Sequence, residues 1–379
     1  MSRVKSWLAE VFQLNPAGLN WPRGVLFLTV ALVPLVLFWS IGHEQYLLSA
    51  EAGALFSVAA DPGGSYGYRV SHLAVFALIG AGLTALAFGI GGVAWGWLAL
   101  AAFLVTLVAG LSVAYGMRRF VWGSLLSIWF IIALGDAFTS HHHAHTPNYT
   151  WAQVLAWTGG AGLWIVATFI AWLILGRKDR HAQLPGDTSR QKLTAPIIMF
   201  AVLRALVIAA TAAIAFGADL PHGYWMTIAA IVAMKPSLEQ TTVVGMQRIV
   251  GALMGAAAAI LLLLIPANET GANLTSTTHG LEAVALVFLM YAAALQLWNH
   301  AVFFGALTAA VLIMLDVRQP ANYGAEGGRV LWTLCGVAIA WVVMFLAKSH
   351  PSGPGTGGAG VPAQRTTTAD QPRQAPSGT

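Results

Sequence analysis

The sequence predicts an all-α membrane protein: twelve transmembrane helices as two parallel six-helix repeats, with short broken helices in equivalent positions. Three observations carry that expectation. First, of 379 residues 58% are hydrophobic and 9% are charged, against about 25% charged in soluble domains, and mean hydropathy is +0.71. Second, apolar segments follow in series on both sides of one basic stretch. Third, features of the first series return in the second at a near-constant offset. So few charges cannot cover a water-exposed surface, which excludes an ordinary soluble enzyme, a nucleic-acid-binding domain and a disordered chain.

The elements follow in order. Val4, Trp7, Leu8, Val11 and Phe12 fall on one helix face before Pro16, so residues 1–22 are expected to hold an interfacial amphipathic helix. The first repeat, 23–175, places spans near 24–42, 47–60, 70–92, 95–115, 119–135 and 151–175. Residues 176–197 form a basic cytoplasmic linker with Arg177, Lys178, Arg180, Arg190 and Lys192. The second repeat, 198–348, places spans near 198–217, 224–235, 245–265, 281–297, 301–315 and 329–347. The tail, 349–379, is rich in Pro, Gly, Thr and Gln and reads as disordered. The single cysteine, Cys335, lies in an apolar run and builds no disulfide framework.

Orientation follows from Lys and Arg. With both termini cytoplasmic, all of the 19 basic residues except Arg318 and Arg329 fall on the inner side. Arg23 and Arg204, Tyr46 and Tyr224, Asp61 and Glu239, Arg69 and Arg248, Asp136 and Asp316, and Gly160 and Gly336 recur about 180 residues apart. An even number of spans per repeat gives both halves one orientation, with a pseudo-twofold axis along the membrane normal. Spans 2 and 8 are too short for a core that needs about 20 helical residues. They end in Asp61-Pro62-Gly63-Gly64 and Lys235-Pro236-Ser237-Leu238-Glu239; spans 5 and 11 are also short. Interrupted segments in corresponding places of two halves point to a transporter's binding site.

The stretch Tyr224–Ile265 reads YWMTIAAIVAMKPSLEQTTVVGMQRIVGALMGAAAAILLLLI. It resembles the signature of the fusaric acid resistance and aromatic acid exporter family: a Tyr-Trp opens a short helix, a Pro-Ser turn ends it, and an Arg precedes a glycine-spaced helix. Here these are Tyr224-Trp225, Pro236-Ser237, Arg248, Gly251 and Gly255. Arg329–Gly336 is similar to the family's second Arg-to-Gly element. The resemblance covers residues 198–347 and extends to 23–175 through the repeat. It implies a bacterial inner-membrane protein, six spans per repeat, exporting aromatic or other organic anions on the proton gradient. Plant aluminium-activated malate transporters look distantly similar. Many family members carry a sizeable soluble domain after the sixth span; this chain has only the short basic linker there.

An exporter of carboxylates needs positive charge on its path. Arg248, Arg69 and Lys235 are the candidate substrate-binding cations at the cytoplasmic mouth, because a guanidinium fork holds both carboxylate oxygens. The alternative role for such residues is topology and headgroup contact. Tyr224 and Tyr46 open the interrupted helices and are candidates for stacking an aromatic substrate. Carboxyls in apolar segments are functional candidates by default. Glu51, among Ala50, Ala52 and Gly53, is the sharpest proton carrier. Asp61 and Glu239 are further candidates, with pairing to Arg69 and Arg248 across the broken turns as the structural alternative. Asp136 and Asp316 are candidate outer gate groups or solvated helix ends.

No metal site and no cofactor is expected: His141, His142, His143 and His145 stand on an outer loop with no Cys and no firm carboxylate spacing. Neither a nucleophile–base pair nor a Walker A sequence occurs, so an enzyme is not expected. The partners expected are a small organic anion and the lipid bilayer, with a periplasmic adaptor or a homo-oligomer open and no nucleic acid. The functional alternatives are an organic-anion channel and a membrane scaffold or subunit of an efflux assembly.

Overall fold

The computed structural model describes residues 15, 18–144, 149–176, 192–236, 238–265, 271–296, 298–316 and 323–349. The expected interfacial helix, most of the basic linker and the tail lie outside them. The described residues form twelve α-helices and no strand. They are α1 Trp21–Ile41, α2 Leu47–Ala60, α3 Tyr66–Ile90, α4 Trp95–Leu111, α5 Met117–Thr139 and α6 Thr150–Ile174, then α7 Ala195–Gly217, α8 Tyr224–Ala233, α9 Leu238–Leu263, α10 Gly271–Leu295, α11 His300–Asp316 and α12 Tyr323–Ser349. Each overlaps one expected segment, and α10 starts ten residues before the span expected near 281–297. Nine are long and apolar enough to cross a membrane; α2, α8 and α11 are shorter.

Local chemistry sets the bounds that matter. The Asn20 side chain caps α1 by accepting from the Arg23 backbone N–H at 3.1 Å, and Gly42 ends it at φ 67. α2 stops at Ala60 because Pro62 forces Asp61 out of the helical region, to ψ 113. Gly63 and Gly64 then turn the chain at φ 69 and 86, which L side chains rarely adopt. At α8 the turn begins at Met234, ψ 107, ahead of Lys235-Pro236.

Three expectations are corrected here. α5 is not short: it has 23 residues and runs past Asp136, which therefore does not end it. The helix continues as a π-helical turn over Ser140–Ala144, so the first histidines are not on a loop. α9 starts at Leu238, several residues earlier than expected. That places Glu239 in its first turn rather than in the break, and Arg248 eleventh of 26 residues, whereas Arg69 is fourth of 25 in α3. Apolar α9 residues are few before Gly245, and the extra turns are held by packing on α12: a Cβ on Gly245 would meet the Trp341 indole at 2.6 Å.

Packing runs in parallel through the halves. α2 packs on α6 and α8 on α12; α3 packs on α5 and α6, as α9 does on α11 and α12; α4 packs on α5 as α10 does on α11. Between halves, α1 packs on α10 and α7 on α4. Glycine allows the closest crossings. A Cβ on Gly160 would stand 1.9 Å from the Ala50 carbonyl oxygen, and one on Gly336 2.2 Å from that of Met226. One apolar core joins α2, α3, α5 and α8 around the stacked Trp129 and Trp157 rings, 4.7 Å apart; a second joins α1, α9, α10 and α11.

Candidate functional site

The short helix α8 is buried from Trp225 to Ala233, among α5, α7, α9 and α12. A cationic cluster stands at its C-terminal end and a cavity at its N-terminal end. The cluster starts from Arg204, tenth of the 23 residues of α7 and fully buried. Its Nη2 donates to Ser124 Oγ at 3.1 Å and to the Ile231 carbonyl at 3.4 Å, while Nε and Nη1 have no hydrogen-bond partner. Its guanidinium carbon is 5.1 Å from the Phe120 ring centroid, and Lys235 Nζ is 5.9 Å from the same ring. Lys235 stays in place because its backbone N–H donates to Thr241 Oγ1 at 3.1 Å, one turn into α9. Among the described residues no carboxylate forms an ion pair with Arg204 or Lys235. Arg204, buried on a ring face with two donors unused, is poised for an anion, and the half-buried Lys235 adds a second positive charge on the same ring.

Arg248 belongs to α9. It is buried, its Nη1 is 3.5 Å from Thr308 Oγ1, and its guanidinium carbon lies 5.1 Å from the Phe304 ring. The expected pairing with Glu239 is not described, since that side chain lies outside the described residues. Nine residues on one helix separate the two backbones by about 13 Å of rise.

Arg69 is different. It grips Asp61 bidentately, Nε to Oδ1 at 2.9 Å and Nη2 to Oδ2 at 2.5 Å, with both residues buried. The Gly63 N–H adds a third bond to Oδ1 at 3.0 Å. Burial works against the ionised Asp61, but the Arg69 hydrogen bonds and charge, the Gly63 N–H and the Arg23 charge outweigh it and hold the carboxyl below its usual range. Asp61 and Arg69 are thus a closed pair, as the structural alternative expected.

Glu51 lies within α2 at 2% exposure, and neither carboxylate oxygen has a hydrogen-bond partner. At the other end of α8 a cavity of about 200 Å³ is lined by Gly135, Phe138, Thr139, Phe216, His222 and Tyr224. Gly135 lets the Tyr224 ring lie against α5, where a Cβ would approach it to 2.6 Å. Asp136, the next residue, and Arg329 of α12 both act electrostatically on the Tyr224 phenol. Arg329 Nη2 donates to His222 Nδ1 at 3.4 Å. His222 sits in the α7–α8 connection at φ 57, close to Asp219 at φ 48, so this wall is held in backbone conformations that cost energy. Burial first, and then the Arg329 charge, push His222 down to about 4.

The structure thus brings Tyr224 and Asp136 together at one end of α8 and Lys235 to the other. It does not bring Tyr46 to either: that residue packs with Ala50 and Ala156, beside the Phe38 and His43 rings. The Asp316 side chain lies outside the described residues. Among the described residues no group of three His, Cys, Asp or Glu could hold a metal ion. Sequence reading missed Arg204, Phe120, Ser124, His222 and Arg329 as site residues. The usable signal was Arg204 itself, a charge well inside the apolar run of α7 instead of at its end.

Residues 205–343 match the family model described as fusaric acid resistance protein-like. That bears out the resemblance read from Tyr224–Ile265, over α7–α12. The findings do not carry the more distant likeness to aluminium-activated malate transporters. No curated protein and no solved structure matches the chain. The match and the nine long apolar helices together make this a multi-pass membrane protein.

Proposed function

We propose that this chain is a secondary transporter that exports organic carboxylates, holding the anion on its path at Arg204 and Lys235. The observation that carries the reading is that cluster: a fully buried guanidinium with two unpartnered nitrogens and a second cation on the same Phe120 ring, without a carboxylate among the described residues. An uncompensated buried charge is destabilising by several kcal/mol. Its retention makes sense if a ligand supplies the missing charge during turnover.

In this reading all twelve helices belong to the membrane domain of two parallel repeats in the inner membrane, with both termini cytoplasmic. The matched packing of α2–α6 with α8–α12, and of α1–α10 with α7–α4, supports the duplication. Lys235 and Arg204 then face the cytoplasmic half, Arg248 continues the basic wall, and the Tyr224 cavity with Asp136 is the outer vestibule. The ten residues of α8 span about 15 Å between them. Glu51, a lone carboxyl in the other broken helix, is the proton carrier. The test is uptake of a radiolabelled carboxylate panel into proteoliposomes, with the pH gradient on or off, for the wild type and for Arg204→Gln and Lys235→Gln. Gradient-driven accumulation lost in both variants supports the reading. Gradient-independent flux makes the chain a channel, and no flux for any carboxylate overturns transport.

A further inference from the structure

The two breaks share a plan and differ in charge. Asp61-Pro62 follows α2, and Lys235-Pro236 follows α8. In each half an arginine from the preceding helix reaches the carbonyl third from the end of the broken helix: Arg23 to Val58, and Arg204 to Ile231. What stands beside that arginine is opposite in sign. In the first half it is Asp61, which has everything a bound carboxylate needs: the Arg69 fork on both oxygens, the Gly63 N–H on one of them, and the Arg23 charge nearby. Gly63 and Gly64, at φ 69 and 86, shape the turn that aims that N–H. In the second half the residue before the proline is Lys235, and Arg204 keeps two nitrogens without a partner.

We propose that the first break is a carboxylate site filled by the chain's own Asp61, which leaves the second break as the single open site, so that one organic anion binds per chain despite the internal symmetry. The inference rests on the anion-transport reading above. It adds a latent site, formed by Arg69, Arg23 and the Gly63 N–H, and it fixes the ligand class as a small carboxylate. It also explains why internal symmetry need not give two substrates. The chain's own acid occupies one site at an effective concentration that a free anion cannot match.

The experiment uses the full chain in detergent. The unfolding midpoint of Asp61→Ala is followed against sodium acetate and against sodium chloride at equal ionic strength. Acetate is expected to raise the lowered midpoint by several degrees more than chloride, and Asp61→Ala/Arg69→Gln is expected to lose that difference. Where Asp61→Ala does not accumulate, Asp61→Gly, which also vacates the carboxylate's place beside Arg69 and the Gly63 N–H, takes its place with the same expectation. Equilibrium binding of radiolabelled benzoate then counts sites: one per chain in the wild type, none in Arg204→Gln, two in Asp61→Ala. Equal responses of the Asp61 variants to acetate and chloride, or two benzoates in the wild type, overturn the inference while leaving transport standing. A wild type that binds neither benzoate nor any other carboxylate of the transport panel overturns the transport reading instead, and acetate rescue still decides the Asp61 site.

Discussion

Arg204 donates to the carbonyl oxygen of Ile231 across 3.4 Å, joining the middle of α7 to the last turn of α8. The bond fixes the end of a helix that Pro236 has already cut short, and it holds the guanidinium where its remaining donors face no protein acceptor. One side chain therefore serves both the fold and the candidate path, and the two roles can be separated by substitution.

Arg204→Met keeps much of the side-chain volume and removes the buried charge. The lost bonds to Ser124 and Ile231 cost about 1 kcal/mol each, whereas the desolvation of an unpaired ion costs several kcal/mol. The variant is expected to match or exceed the wild-type unfolding midpoint while losing carboxylate flux by at least tenfold. A midpoint several degrees lower would show that Arg204 is a structural strut, and the flux loss would then say nothing of binding.

The Asp61–Arg69 pair behaves in the opposite way. Both groups are buried and satisfied by each other, so removing one leaves the other uncompensated. Arg69→Gln is expected to cost about 3–5 kcal/mol, and Asp61→Asn/Arg69→Gln to recover most of it. Midpoints of the two single variants and the double variant form the cycle that checks this. Additive losses would mean that the pair contributes little as a pair.

Much of the fold was legible because a membrane span needs a long apolar run, and each of the twelve runs became one helix. Breaks after α2 and α8 were legible because proline excludes the helical region at the residue before it. What misled was inference from a run's edge. Leu238–Gly245 carries Glu239, Gln240 and two threonines, so it reads as a loop, yet packing on α12 makes it helix and moves Arg248 into the interior. The site was less legible, because partnership is a property of space. Asp61 and Arg69 are eight residues apart, and a short turn brings them together, so their pairing could be foreseen. Arg204, Phe120 and Lys235 come from three helices' worth of chain, and no spacing rule connects them.

Glycine positions separate contact from composition. Gly160 faces the Ala50 carbonyl so closely that an added methyl would stand 1.9 Å from its oxygen, whereas a Cβ on Gly82 meets nothing within 4 Å. Gly160→Ala must push α6 off α2 and is expected to cost about 1–3 kcal/mol or more, as overpacking does. Gly82→Ala is expected to leave the midpoint unchanged within a degree or to raise it slightly. Folded yield and thermal unfolding of the two variants check this; equal behaviour would contradict the α2–α6 crossing.

His222 gives a pH signature at the cavity wall. Its folded value, about 4, lies below the ordinary imidazole value of 6.5 from which it is shifted. The unfolded chain therefore binds the proton first, so the His222 contribution to stability is present above about 6.5 and is lost as pH falls toward 4. The wild type is expected to lose unfolding midpoint across that window, and His222→Gln to lose less, with the two curves parallel above pH 7. Identical acid limbs would show that the Arg329–His222 contact does not shape stability.

Glu51 tests the coupling. It is 2% exposed, neither oxygen has a partner, and no cation among the described residues pairs with it. A carboxyl in such a place is costly to keep, and Glu51→Gln preserves its shape while abolishing its ability to exchange a proton. The substitution is expected to leave the fold intact, because no ion pair is broken. Two transport readouts then divide the outcomes. Net uptake driven by a pH gradient should fall at least tenfold, while exchange of labelled for unlabelled carboxylate at equal pH should persist, since exchange returns the carrier loaded and needs no proton cycle. Loss of both would make Glu51 a residue of the substrate path, and retention of gradient-driven uptake would remove it from coupling altogether.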